Sequence, residues 1–374
     1  MADVGKSIVL AGGGTAGHVN PLLATAAELV ARGHTVRALG TAEGLESDLV
    51  PRAGVELHTI DRVPLPRSLS AAAMRFPAAF RRARLQAGAV LDAHHADVVV
   101  GFGGFVSTPA YAAARKRRIP VVVHEANARP GFANRYGARF AAVVAITFPG
   151  TPLPRAVLTG LPLRAEIGDL AAALADPGVR GEIVRDAREA RGWTADAHVL
   201  LVTGGSLGAA SINAAVAAAA PTLVHHGVHI IHLTGPGKDT DAARVVGDLP
   251  VAMRGAYQVA EYAHDMADCF AAASAVVCRA GAATVSEVSA LALPALYIPL
   301  PHGNGEQALN ASFAVEVGAA TLLADEHLTT ARLILEAERI VLDREAAQEM
   351  AAAAASIAIA DGATRLADLI EGVA

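Results

Sequence analysis

One pattern occurs twice in this chain and limits what it can fold into. Ser7-Ile8-Val9-Leu10-Ala11 is a short apolar run that ends in Gly12-Gly13-Gly14. Val199-Leu200-Leu201-Val202-Thr203 ends in the same way, in Gly204-Gly205-Ser206. Neither run alternates apolar with polar, so each predicts a strand buried on both faces of a parallel sheet. Glycines follow each run, then an Ala-rich stretch of helical length. A strand, a glycine turn and a helix that start again in the second half predict two domains of one architecture.

Further short apolar runs predict strands at Thr35–Leu39, Asp97–Gly101, Val121–His124, Val143–Thr147, His229–Thr234, Ala275–Cys278 and Ala295–Pro299. Helical stretches separate them, among them Pro21–Arg32, Pro109–Arg118, Ala209–Ala219, Thr284–Ala292 and Glu306–Val317. Strand and helix alternating throughout imply a doubly wound α/β architecture. The expected division is an N-terminal Rossmann-like domain over residues 1–163, a hinge near Gly160–Leu163 and a second such domain over 164–344. A terminal helix, about 345–374, is expected to cross back onto the first domain near Asp361–Glu371.

Composition removes several functional classes. Hydrophobic residues make up 53% and aromatic residues 4% of the chain, which suits close-packed helices and strands and leaves no stacking platform for nucleic acid. Two cysteines, Cys269 and Cys278, make no disulfide framework and predict reduced thiols in a core. No run is long and uncharged enough to span a bilayer, and no cleavable signal precedes the first strand. The net charge of −5 conceals an asymmetry: residues 1–163 hold 18 Lys and Arg against 10 Asp and Glu, and the remainder holds 13 against 26. A cationic half suits an anionic surface.

The motifs gather at strand ends. Gly12-Gly13-Gly14-Thr15-Ala16-Gly17 satisfies G-x-G-x-x-G, which lets backbone approach an anion at a helix start. A dinucleotide site would also want an acid ending the second strand; that strand ends Leu39-Gly40-Thr41, with Glu43 already beyond it. Gly204–Ala209 is the counterpart in the second half, where amides and the Ser206 hydroxyl suit a diphosphate. Gly101-Phe102-Gly103-Gly104 is a third such turn. His18 beside the first loop is a candidate general base, and His124-Glu125-Ala126-Asn127 puts polar groups at another strand end. Arg279–Thr284 joins a strand to a helix bearing Glu287, which suits a ribose diol. Glu306, Gln307 and Asn310 open a helix, and Glu306 and Asn310 share a face. Asp239-Thr240-Asp241 has a metal-binding look but sits in a Gly/Pro/Lys loop; the histidines at 225, 226, 229 and 232 lack partners at zinc spacing. No metal is expected. Leu69–Arg84 mixes Met74, Phe76 and Phe80 with Arg75, Arg81, Arg82 and Arg84; taken alone, the segment suits an ordinary amphipathic helix with a solvated basic face better than a docking site on an anionic leaflet.

Taken together these motifs resemble the MurG family of glycosyltransferases. The resemblance spans nearly the whole chain in order: Gly13–Pro21, Gly101–Ser107, His124–Asn127, Gly160–Arg164, Gly204–Ala209, Asp265-Met266, Cys278–Glu287 and Gln307–Asn310. It implies a GT-B fold, two Rossmann-like domains facing across a cleft, and an inverting transfer of N-acetylglucosamine from UDP-GlcNAc to lipid I, with no essential metal or other cofactor. It implies that Ser206 and Arg164 meet the diphosphate, backbone at Ala263 the uracil, and Ala282, Ala283, Thr284, Val285, Ser286 and Glu287 the nucleotide, with Glu287 on the ribose. Gln307 and Asn310 would hold the sugar, and Thr15, Ala16, Gly17 and Asn127 would lie where sugar and acceptor meet. Gly103 and Gly104 would face the undecaprenyl-diphosphate acceptor. The implied location is peripheral, on the cytoplasmic face of the cell membrane against its anionic inner leaflet, with no nucleic-acid partner. The chain departs from the family pattern in Ala16 for a glycine, Ala126 for a glutamine and Glu306 for the first of a glutamine pair. His18 is the first expectation for the base and Glu125 the second.

Three other functions fit parts of the sequence. An NAD(P)-dependent oxidoreductase would use the first loop but leaves Ser206, Gln307 and Asn310 unexplained. A non-catalytic membrane adaptor would use Arg75–Arg84 and leave the glycine loops idle. A GT-B enzyme with another lipid or small-molecule acceptor would share every donor motif.

Overall fold

The computed structural model describes residues 5–64, 71–263, 265–302 and 304–374. Leu69 and Ser70 of the basic segment, and Gly303, lie outside them. The chain forms two compact units, Met1–Arg164 with Asp361–Ala374, and Ala165–Ala360.

The first unit runs β1 (Ser7–Ala11), α1 (Ala16–Ala31), β2 (Thr35–Gly40), α2 (Glu46–Arg52), β3 (Glu56–Thr59), α3 (Ala71–Ala93), β4 (Val98–Gly101), α4 (Gly104–Arg117), β5 (Val121–Glu125), α5 (Phe132–Gly137), β6 (Val143–Ile146) and β7 (Ala156–Leu158). All its strand pairs are parallel, in the order β3-β2-β1-β4-β5-β6-β7. Strand β1 shows why a continuous apolar run was needed: Val9 and Ala11 enter the core on one face, Ile8 and Leu10 that on the other, and all four are fully buried. Each such Val, Ile or Leu contributes about 1.5–3 kcal/mol.

The second unit runs α6 (Ala165–Leu174), α7 (Pro177–Glu189), β8 (His198–Thr203), α8 (Ala210–His225), β9 (Val228–Leu233), α9 (Thr240–Asp248), β10 (Tyr257–Ala260), α10 (Met266–Ala272), β11 (Ala275–Cys278), α11 (Ala282–Ala290), β12 (Ala295–Tyr297), α12 (Glu306–Glu316), β13 (Ala320–Leu322), α13 (Thr330–Val341) and α14 (Arg344–Ile357). Its sheet is parallel too, in the order β10-β9-β8-β11-β12-β13. The sequence order reverses between β1 and β4 in one unit and between β8 and β11 in the other. Open α/β sheets bind ligands at such a switch point, and each unit sets glycine turns there.

Two helices begin earlier than their prolines suggest. Pro21 and Pro109 favour a first turn, yet α1 starts at Ala16 and α4 at Gly104, each proline being the sixth helical residue. The glycine turns, ending at Thr15 and Gly103, set the starts instead. This puts His18 inside the first turn of α1.

The tail, residues 345–374, forms two helices. Helix α14 packs on α13 and α11 of the second unit, and α15 (Gly362–Glu371) returns to the first. Leu366, Ala367 and Ile370 of α15 are fully buried in the core that holds Leu22, Ala26 and Leu29 of α1. Arg32, at the end of α1, reaches Asp368 at 2.6 Å and Glu371 at 2.9 Å.

Candidate active site

In the first unit the turns after β1, β4 and β5 form one network. His18 Nδ1 lies 3.1 Å from the Gly13 carbonyl and 3.2 Å from Thr15 Oγ1. A carbonyl only accepts, so Nδ1 carries a proton, and in the neutral imidazole Nε2 keeps the lone pair. A Cβ on Gly103 would sit 2.9 Å from His18 Nε2, and one on Gly104 would sit 2.5 Å from the Gly13 oxygen. Both glycines have positive φ, 103° and 81°, so glycine is needed there for space and for conformation. The buried Ser107 hydroxyl accepts from Gly103 N at 3.0 Å and lies 2.9 Å from the Ala11 carbonyl, which holds the β4 turn against β1. Thr15 and Gly17 are exposed and Ala16 partly so.

Glu125 has a different setting from the one expected of a base. It is 3% exposed. Its Oε1 accepts from Asn127 N at 2.9 Å, and its Oε2 accepts from Gly131 N at 3.0 Å and Asn134 Nδ2 at 2.9 Å. Asn134 also donates to the His124 carbonyl at 2.9 Å and accepts from Tyr111 Oη at 2.8 Å. A carboxylate with both oxygens engaged fixes the turn that carries Asn127; it is poorly placed to take a proton from a substrate. Sequence reasoning missed Asn134 and Tyr111, because their partner lies across α5 and α4.

In the second unit the β8 turn is locked by packing. Gly208 has φ of 66°, and a Cβ there would lie 1.9 Å from the Thr234 carbonyl. A buried chain supports that carbonyl: Tyr257 Oη to His232 Nδ1 at 2.8 Å, His232 Nε2 to Asn213 Oδ1 at 3.2 Å, and Asn213 Nδ2 to Thr234 O at 2.8 Å. Ser206 is exposed, and Ala263, Ala283, Thr284, Ser286 and Glu287 are half-buried, while Ala282 and Val285 are buried. Arg164 of the first unit is half-buried. Asn310 is 1% exposed and donates to the Ala280 carbonyl at 3.3 Å; Gln307 Oε1 accepts from Leu300 N at 2.9 Å. Both amides thus shape the loops after β11 and β12. Arg279 binds the Ile298 and Pro299 carbonyls at 3.1 and 3.0 Å and pairs with Asp325 at 2.5 Å. It cross-links the end of β11 to the chain after β12, to Ser211 on α8 and to Asp325.

Two histidines are buried neutral. Burial pushes both His124 and His232 down to about 4 from the ordinary 6.5. A lowered histidine contributes stability that is complete above 6.5 and is lost as pH falls from there towards 4. Thermal unfolding is therefore expected at lower temperature at pH 5 than at pH 7. The slope should be shallower in His232→Gln, which takes up no proton; equal slopes in both proteins would refute the assignment.

The basic segment also takes shape. On α3, Met74 is 80% exposed and Arg75, Arg81 and Arg82 are exposed. Phe76 and Phe80 are half-buried: they stack at 5.8 Å and pack on the core. Arg82 pairs with Asp61. Among the described residues no helix is long and apolar enough to cross a membrane. One trio, Glu56, His58 and His94, brings ligand atoms within 4.8 Å of one another, but Arg37 already binds Glu56 at 2.8 Å. Glu56 and His58 lie on the edge strand β3, and His94 directly follows α3.

The first acid after β2 that faces the Gly14 turn is Glu46, not Glu43. Its carboxylate is buried and accepts from Gly14 N at 2.8 Å and Thr41 N at 2.9 Å. This acid is spent on backbone amides rather than offered to a ribose, which counts against a dinucleotide site.

Comparison with known proteins agrees with this arrangement. Residues 8–146 match the glycosyltransferase family 28 N-terminal domain and residues 199–366 its C-terminal domain. The chain is 47% identical to a protein of Cutibacterium acnes over 361 residues, 96% of this chain and 95% of that one. It is 48% identical to one of Clavibacter michiganensis subsp. michiganensis, over 97% and 95%. Both relatives are named UDP-N-acetylglucosamine–N-acetylmuramyl-(pentapeptide) pyrophosphoryl-undecaprenol N-acetylglucosamine transferase. The crystal structure of Acinetobacter baumannii MurG is similar with a TM-score of 0.80 at 29% identity, covering 98% of this chain and 99% of that one.

Proposed function

The chain belongs to glycosyltransferase family 28, and from that premise we propose how its two units divide one transfer. The fold is GT-B. The enzyme moves N-acetylglucosamine from UDP-GlcNAc to the muramyl hydroxyl of undecaprenyl-diphosphate-linked N-acetylmuramyl-pentapeptide, giving lipid II and UDP. The second unit binds the donor: the Gly204–Ala209 turn and Ser206 meet the diphosphate with Arg164, Glu287 the ribose and Ala263 the uracil. The Gln307 and Asn310 loops face the sugar. The first unit takes the acceptor along Gly103, Gly104, Thr15–Gly17 and Asn127.

The support is geometric. His18 presents a bare Nε2 at the switch point of the first sheet, while Glu125 is occupied by three donors. His18 takes the proton of the acceptor hydroxyl as that oxygen attacks the anomeric carbon. The C1–O bond to the diphosphate breaks on the opposite side, and the electron pair leaves with UDP. One displacement inverts the anomeric centre. Helix N-termini and Arg164 stabilise the departing charge. No step needs a metal. The cationic first unit and Met74 on α3 favour peripheral docking on the anionic cytoplasmic leaflet.

The test supplies UDP-GlcNAc with lipid I in anionic vesicles, and follows UDP release and labelled lipid product. Rapid, acceptor-dependent release with a β-linked product is expected. Turnover on a non-lipid sugar acceptor, with none on lipid I, would overturn the acceptor assignment.

A further inference from the structure

Glu46 is a buried carboxylate, 1% exposed, at the start of α2. Its Oε1 accepts from Thr41 N at 2.9 Å and Thr41 Oγ1 at 2.7 Å, and its Oε2 from Gly14 N at 2.8 Å. Burial alone would raise its pKa, yet hydrogen bonds from Gly14 and Thr41 hold it below the usual carboxylate range. The charge is therefore present when the protein is folded near neutral pH. Three glycines make room for it. A Cβ on Gly13 would lie 2.3 Å from Oε1, one on Gly44 2.0 Å from Oε2, and one on Gly40 2.6 Å from Cγ. No other residue fits at those positions without displacing the carboxylate.

Two consequences follow for the first glycine turn. The Gly14 N–H, which a helix-start loop would offer to an anionic ligand, is taken by the protein's own carboxylate. The Gly13–Gly14 peptide is also gripped on two sides: Glu46 holds its N–H, and its carbonyl lies between Gly104 and the His18 ring.

We propose that Glu46 is a positioning residue for the transfer: it pins the Gly13–Gly14 peptide so that the Gly13 carbonyl keeps the His18 proton on Nδ1 and leaves Nε2 bare. The inference rests on His18 being the base, and adds what sets its tautomer. An imidazole with its proton on the wrong nitrogen accepts nothing from an incoming hydroxyl. Glu46 acts on the acceptor side only, since the donor turn is in the other unit.

The test combines kinetics with ¹⁵N NMR of histidine-labelled protein. In the wild type, neutral His18 should show a protonated Nδ1 and an unprotonated Nε2. Glu46→Gln turns one acceptor into an NH₂ facing N–H donors. It should lower kcat about 10- to 100-fold, leave KM for UDP-GlcNAc within about twofold and mix the two His18 tautomers. Thr41→Val keeps the carboxylate and removes one donor; kcat should fall by less than about tenfold with KM unchanged. A wild-type spectrum with the proton on Nε2 would overturn the proposal even if Glu46→Gln does not fold. So would a folded Glu46→Gln enzyme with wild-type kcat and one tautomer, while His18→Ala is inactive. If His18→Ala stays active while the wild-type spectrum shows protonated Nδ1, the base assignment has failed instead.

Discussion

His18→Ala is expected to lower kcat by about 100- to 10,000-fold, the range for removing a positioned general base. Affinity for UDP, measured by titration calorimetry, should stay within about twofold because the donor turn is in the other unit. The imidazole is half-buried and held at Nδ1 by Gly13 and Thr15, so its removal takes away a lone pair without opening the core. Glu125→Gln is the informative comparison. The new side-chain amide would place an NH₂ against N–H donors of Asn127, Gly131 or Asn134, so unfolding should shift to lower temperature, with kcat falling through misplacement of the turn. If Glu125→Gln proves inert but folded and His18→Ala turns over normally, the roles are reversed.

Gly208→Ala should remove most donor binding. The residue has φ of 66°, and the new methyl would lie 1.9 Å from the Thr234 carbonyl. Left-handed backbone on a non-glycine residue costs about 1–3 kcal/mol, and overpacking costs about as much again. The turn has little freedom to yield. Asn213 and, behind it, His232 and Tyr257 fix the Thr234 carbonyl, and a Cβ on Gly235 would touch Gly208 Cα at 2.6 Å. Calorimetry should show UDP affinity falling at least about tenfold, with a lower unfolding temperature. Gly205→Ala is a control: its φ is 80°, but a Cβ would meet nothing within 4 Å, so strain acts without collision and the loss should be smaller. Equal losses in the two variants would show that backbone strain, not the Thr234 contact, governs the turn.

Strands β1, β4, β5, β8 and β11 were legible because both faces are covered, which writes an unbroken apolar run into the sequence. The edge strands β3, β7, β10 and β13 were not. Glu56-Leu57-His58-Thr59 is half wet and is short, so it carries no such run. The glycine turns were legible for a related reason: a backbone that must take positive φ or meet another backbone closely leaves glycine as its mark. His18 was found through its neighbour, the first turn.

By itself, the sequence determined two domains of alternating strands and helices and the turns at their switch points. Burial period and backbone conformation are local properties, readable over a few residues. Tertiary structure alone decided what the polar side chains do. Glu46 meets Gly14 from 32 residues away, Glu125 is spent on Asn127, Gly131 and Asn134, and Arg279 on carbonyls beyond β12. A hydrogen bond depends on where the backbone brings two groups together, and no spacing along the chain records that.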